Sequence, residues 1–183
     1  QYQSEHNGEI VTDAMKANHN KGNYNGAPLP LGYASVFSYK SGSKDRQKVA
    51  INEKERPLVE LIFKLYLHGD GKSGPLGLKK IAEWLGANGY RTRRGALFAN
   101  EGIRKILTNR VYIGEYTWNK KCTATGEKKP DEEIVNQKVD SIISIDMFDA
   151  VQDTLERRNP NNGSHKEEST PRLLAGIARC ALC

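Results

Sequence analysis

The side chains best able to do chemistry in this sequence are cationic, and they cluster. Lys79 and Lys80, then Arg91, Arg93 and Arg94, then Arg104, Lys105 and Arg110 fall in one central stretch. Residues 72–121 hold 11 basic and 3 acidic side chains, a net +8, whereas residues 1–71 carry +1 and residues 122–183 carry −3. A block of that sign attracts a polyanion, and nucleic acid is the commonest one a folded basic module meets. Guanidinium and ammonium groups hold phosphates. An Arg or Asn on an exposed helix face can also read the edge of guanine or adenine. The plain alternative is a solvated basic face.

Other chemistries fit less well. Ser35, Ser38, Ser41 and Ser43 have no nearby His or Arg constellation to activate a nucleophile. Gly71-Lys72-Ser73 imitates the end of a phosphate loop, but no glycine stands five residues before Gly71. His6, His19, His68 and His165 show no ligand spacing and read as solvated or capping residues. Cys122 reads as a surface thiol, and Asp131-Glu132-Glu133 as a solvent-facing run. Cys180 and Cys183 form a C-x2-C pair, two of the four ligands of a structural zinc, so no stable metal site and no cofactor are expected in this stretch. Three cysteines make no disulfide framework, which fits a reducing, cytoplasmic setting. No apolar run approaches the roughly 18 residues of a membrane span, and the N-terminus lacks signal-peptide character. The start without Met and the end at Cys183 suggest a piece of a longer chain.

The elements that must position the basic residues follow from periodicity. Ile10, Val11, Ala14 and Met15 give a narrow apolar stripe over residues 5–20, a polar helix ending in Asn18-His19-Asn20-Lys21-Gly22. Residues 22–32, with two prolines and three glycines, form an extended connector. Tyr33–Tyr39 and Lys48–Ile51 read as short strands joined by a polar loop, Lys40–Gln47. Asn52 is placed to cap a core helix over Glu53–His68, with Leu58, Leu61, Ile62, Leu65 and Tyr66 inward and Val59, Phe63 and Leu67 widening the face. Helices over Leu78–Asn88 and Asn100–Thr108 flank Tyr90–Phe98, a short turn or hairpin. Val111–Trp118 reads as a strand, residues 123–138 as a charged loop, and Ile145–Arg158 as a helix capped by Ser144. Asn159–Pro171 is a low-complexity linker. Trp84 and Trp118 are expected to be core or half-buried.

Two short helices joined by a tight connection suit a helix-turn-helix or winged-helix arrangement, the second laying its exposed face in a major groove about 12 Å wide. Helix Asn100–Thr108 would present Asn100, Glu101, Arg104, Lys105 and Thr108, with Lys79, Lys80, Arg91, Arg93, Arg94 and Arg110 holding phosphates.

A series of short motifs gives a sharper reading. These are Lys21-Gly22, Gly26-Ala27-Pro28, Gly32-Tyr33, Asn52-Glu53, Ile62-Phe63-Lys64-Leu65-Tyr66 and Ile81-Ala82-Glu83-Trp84-Leu85. They continue with Asn88-Gly89-Tyr90-Arg91-Thr92, Ile106-Leu107-Thr108-Asn109, Tyr112-Ile113-Gly114, Ile142-Ile143-Ser144, Phe148–Gln152, Leu173–Gly176 and Cys180–Cys183. In this order and spacing the chain resembles the recombinase domain of the large serine recombinases. It departs at Phe98, where the family usually has Trp, at Ala99, where it has a Ser or Thr cap, and at Arg110, where it has Pro. Loss of the cap weakens the first turn of the Asn100 helix, since such a cap contributes about 1 kcal/mol.

The resemblance implies a mixed α+β fold with a small helical core, a DNA-binding element and short β-hairpins. It implies 1–21 as the end of the long helix leaving an absent catalytic domain, 22–32 as the connector, 33–158 as the DNA-binding domain, 159–171 as linker and 172–183 as the start of a zinc ribbon. The partner would be a double-stranded attachment half-site of a mobile element, in the bacterial cytoplasm. Lys21, Tyr24 and Asn25 of the connector would follow the minor groove. Zinc would belong to the parent chain, with Cys180 and Cys183 as the first ligand pair. This stretch would be monomeric, the parent a dimer in solution and a tetramer in synapsis. The alternatives are a winged-helix regulator acting by occupancy and a module docking an acidic protein.

Overall fold

In a computed structural model of the chain, residues 2–118, 127, 130 and 134–159 are described. Cys122, His165, Cys180, Cys183, the run Asp131–Glu133 and the C-terminal stretch 160–183 lie outside the described residues.

The elements run in the order α1 (Tyr2–Asn20), β1 (Tyr33–Ser41), β2 (Lys44–Ile51), α2 (Arg56–Leu67), α3 (Leu78–Ala87) and α4 (Asn100–Leu107). A 3-10 turn over Arg110–Ile113 follows, then β3 (Glu115–Trp118), β4 (Val135–Lys138) and α5 (Ile145–Arg157). The strands form two separate antiparallel pairs, β1 with β2 and β3 with β4. The class is α+β, as the sequence leads one to expect.

The core is built by α2, whose Val59, Ile62, Phe63, Leu65 and Tyr66 are buried. Ile81 and Leu85 of α3, Ile103 and Leu107 of α4, and Phe148 and Val151 of α5 pack around it. Phe63 sits at the centre, 5.9 Å from the Tyr112 ring in an edge-on contact and 6.4 Å from Phe148. Ser144 caps α5 as expected, its hydroxyl accepting from the Met147 amide at 3.4 Å. Ala99 stands at the start of α4 with no side-chain cap.

Several sequence expectations are corrected. Asn52 does not cap α2; its carbonyl accepts from the Glu55 and Arg56 amides at 3.0 and 2.9 Å, so residues 52–55 make a turn and the helix starts at Arg56. The loop expected over Lys40–Gln47 is mostly ladder: pairing runs from Tyr33↔Ile51 to Ser41↔Lys44, with an irregularity between Phe37 and Tyr39. A two-residue turn at Gly42-Ser43 suffices to close such a hairpin. Val111–Trp118 is not one strand. The Asn109 side chain caps a 3-10 turn, and Gly114, at φ +94, turns the chain before β3 begins. The expected charged loop over 123–138 contains β4, which pairs with β3 from Trp118↔Val135 to Glu115↔Lys138. Between α3 and α4 lie residues 88–99, longer than the three or four residues of a helix-turn-helix connection.

His19 is also corrected. It is not solvated: the last turn of α1 buries it to 1% exposure, with ring centroids 5.5 Å from Tyr116 and 5.8 Å from Trp118. Burial lowers its pKa below the ordinary 6.5, against an opposing pull from the Val135 backbone. A His with a depressed folded pKa stabilises the fold fully above 6.5, and that contribution is lost as pH falls below it. Thermal unfolding followed from pH 7.5 to 5.5 should show this decline, and His19→Leu should flatten it. An equal decline in the variant would assign the effect elsewhere.

Candidate nucleic-acid interface

The second helix of the basic segment presents the side chains expected of it. On α4, Ile103 and Leu107 face the core, which leaves Asn100, Glu101, Arg104, Lys105 and Thr108 exposed. The tertiary fold brings Lys79 of α3 to Asn100 and Arg104 of α4 along one open cleft of about 570 Å³, whose far wall includes Gln152 and Arg158. Arg158 is fixed there: it donates to the Leu76 carbonyl at 3.1 Å and lies 5.0 Å over the Tyr66 ring. Lys80 is exposed on α3. The cleft thus carries Lys79 of α3, Arg104 of α4 and Arg158 just past the end of α5, together with one carboxylate, Glu156.

The other cations are not equivalent. Arg91 folds back on the C-terminal end of α3, donating to the Gly86 carbonyl at 3.1 Å and the Tyr90 carbonyl at 2.8 Å. Arg94 is exposed and lines a second cleft with Leu29, Leu31, Phe98 and Ile106. Arg110 makes a two-bond pair with Glu115 at 2.5 and 2.9 Å, both partners about half exposed.

Arg93 has a different job. It donates to both Glu55 oxygens, at 2.7 and 2.5 Å, and to the carbonyls of Leu29, Pro30 and Tyr33 at 2.8, 3.1 and 2.6 Å. Glu55 in turn accepts from the Gly32 amide at 2.8 Å. The Tyr112 hydroxyl donates to the Leu31 carbonyl at 3.0 Å, and the Asn52 amide to the Gly32 carbonyl at 2.8 Å. Every backbone carbonyl from Leu29 to Tyr33 therefore has a donor, and the end of the connector is a strap tied to the body. Gly32 is required there: at φ +87 a Cβ would stand 2.8 Å from Ile142 and 3.0 Å from Val59. Hydrogen bonding by Arg93 is the main reason the Glu55 pKa is lowered, and the same bond raises that of Arg93.

The start of the connector is tied as well. Asn25 accepts from Asn18 Nδ2 at 2.6 Å and donates to the Met15 carbonyl at 2.9 Å. The Tyr24 hydroxyl donates to the Ala27 carbonyl, and the Tyr24 amide to the Gln47 carbonyl of β2 at 2.7 Å. Lys21 is exposed. Of the connector residues expected to meet DNA, Lys21 projects, whereas Tyr24 and Asn25 also hold the loop in shape. Glu55 and Tyr112, which position the strap, were not legible as functional residues, because each contacts the connector from far along the chain.

Residues 53–158 match the Recombinase family, and the chain belongs to that family. Among solved structures it is similar to one described as a crystal structure of an LSR–DNA complex, at 21% identity, covering 79% of this chain and 37% of that one, with TM-score 0.49. It is also similar to one concerning the sequence requirements of the Listeria innocua prophage attP site, at 20% identity, covering 88% of this chain and 57% of that one, with TM-score 0.53. The second likeness supports the fold. The chain spans well under two thirds of the length of either structure. No curated protein matches.

Among the described residues, no group of three or more His, Cys, Asp and Glu side chains is placed to hold a metal, and no helix is long and apolar enough to cross a membrane.

Proposed function

We propose that this chain is the DNA-binding part of a large serine recombinase and holds an attachment half-site of a mobile element. The observation that carries this reading is the Recombinase match over residues 53–158, the stretch that supplies Lys79 and Arg104 of the cleft and the exposed face of α4. In this reading Arg104, Lys105 and Asn100 address the major groove, while Lys79 and Lys80 hold phosphates. Cutting and rejoining would be done by a serine in another domain; Ser35, Ser38, Ser41 and Ser43 lie on or at the turn of the β1–β2 hairpin, away from the cleft. Cys180 and Cys183 would give a zinc ribbon two of its four ligands.

The test is binding to half-sites from the ends of the chain's own element against scrambled duplexes, across a salt series. A preference of roughly 1000-fold or more marks site recognition. Equal, steeply salt-sensitive binding to both would leave only backbone contact. Within a specific complex, Arg104→Ala should cost about 1–3 kcal/mol and relax choice at one base position. A uniform loss over all sequences would make Arg104 a phosphate contact instead.

A further inference from the structure

The β1–β2 hairpin carries its charge on one face. Side chains alternate along a strand, so Lys44, Arg46 and Lys48 of β2 share a face, and the register sets Ser41, Tyr39 and Val36 opposite them. On the other face Lys40 lies directly across from Asp45, with Nζ 3.9 Å from its carboxylate, and the two cancel. The hairpin's whole excess of three positive charges therefore belongs to the Lys44–Arg46–Lys48 face. The two ends of that face are open: Lys44 and Lys48 are exposed, with Val36 and Tyr39 at 45% and 42%, whereas Arg46 in the middle is half-buried.

The hairpin is also held where a duplex engaged by the connector would meet it. Arg46 donates to Asn18 Oδ1 at 2.8 Å, Asn23 Nδ2 donates to the Tyr39 hydroxyl at 3.1 Å, and Gln47 accepts from the Tyr24 amide. These bonds fix the ribbon against the end of α1 and the start of the connector, beside Lys21. An isolated two-stranded ribbon gains little stability of its own, whereas ribbons of this kind serve as nucleic-acid readers.

We infer that the Lys44–Arg46–Lys48 face is a second phosphate-contacting surface for duplex DNA, outside the central basic segment and continuous with the connector. The inference rests on the DNA-binding reading above and extends its footprint. Arg46 anchors the ribbon, and Lys44 and Lys48 are the free contacts.

Backbone contacts can be tested without knowing the target, using a 40-base-pair duplex of mixed sequence. Binding of the wild type, Lys44→Ala/Lys48→Ala and Lys44→Arg/Lys48→Arg is followed from low to high salt, with melting temperatures compared. Loss of two phosphate contacts should make the slope of log K against log salt shallower by about two, and the arginine pair should restore it. An alanine variant with the wild-type slope overturns the inference while leaving the DNA-binding reading intact. So does a variant whose only change is in self-association, which would make the face a protein contact. A wild type that fails to bind this duplex at any salt overturns both.

Discussion

Replacing Arg93 by alanine should lower the unfolding free energy by about 2–3 kcal/mol, far more than an exposed arginine ordinarily contributes. The ion pair with Glu55 is not the main reason. The Arg93 side chain is 41% exposed, and solvent weakens a pair of that kind to a fraction of a kcal/mol. The larger effect comes from the carbonyls of Leu29, Pro30 and Tyr33, which share one planar donor set. Lysine offers three donors on a flexible stem, so Arg93→Lys should recover only part of the loss. Urea denaturation of both variants measures this. An Arg93→Ala protein as stable as the wild type would mean that the strap is held by Tyr112, Asn52 and packing alone. The pH dependence has a defined sign. Glu55 has a folded pKa below its ordinary 4.5, so its contribution is complete above 4.5 and is lost as pH falls through the lowered value. Glu55→Gln and Arg93→Ala should both shrink that acid-side loss.

A still larger loss is expected at the centre of the core. Phe63→Ala should cost about 3–5 kcal/mol, since it removes a ring at 0% exposure and leaves a cavity between α2, the 3-10 turn and α5. Domains are stable by about 5–15 kcal/mol, so this one change removes a large share of the total. Tyr112 packs on Phe63 and donates to the Leu31 carbonyl, so the cavity should loosen the strap as well. Hydrogen exchange at Gly32 and Tyr33, whose amides donate to Glu55 and to the Pro30 carbonyl, reads that second effect, and Phe63→Leu, which leaves a smaller void, should spare most of both. Slow exchange at the strap in a destabilised Phe63→Ala protein would separate the core from the connector.

The parts of the fold legible in the sequence are those whose signal repeats locally. The inward face of α2, with Val59, Ile62, Phe63, Leu65 and Tyr66, follows from 3.6-residue periodicity, because one helix face meets the core whatever lies across from it. Arg104 and Lys105 were legible in the same way: with Ile103 and Leu107 turned to the core, 3.6-residue periodicity puts Arg104 and Lys105 off the buried stripe. Strand β4 was not legible, since Val-Asn-Gln-Lys has weak strand character and forms a strand by pairing with β3 from the other side of a long excursion. Residues Lys44-Asp45-Arg46-Gln47 alternate with period 2, but their polar composition suggested a loop, and only Lys48–Ile51 read as the second strand.

The sequence by itself determined the family, the α+β class, the central basic block and the faces of the short helices, because each depends on residue order or on periods of a few residues. Only the tertiary structure decided which cations meet solvent and which hold the chain. Arg91, Arg93 and Arg94 are near neighbours of one chemical type, yet Arg93 is taken up by Glu55 and the connector, more than 35 residues away along the chain. His19 was likewise indistinguishable from a solvated residue until β3 was laid against α1. A side chain's charge is written in its covalent structure, but its partners are set by where distant backbone comes to lie.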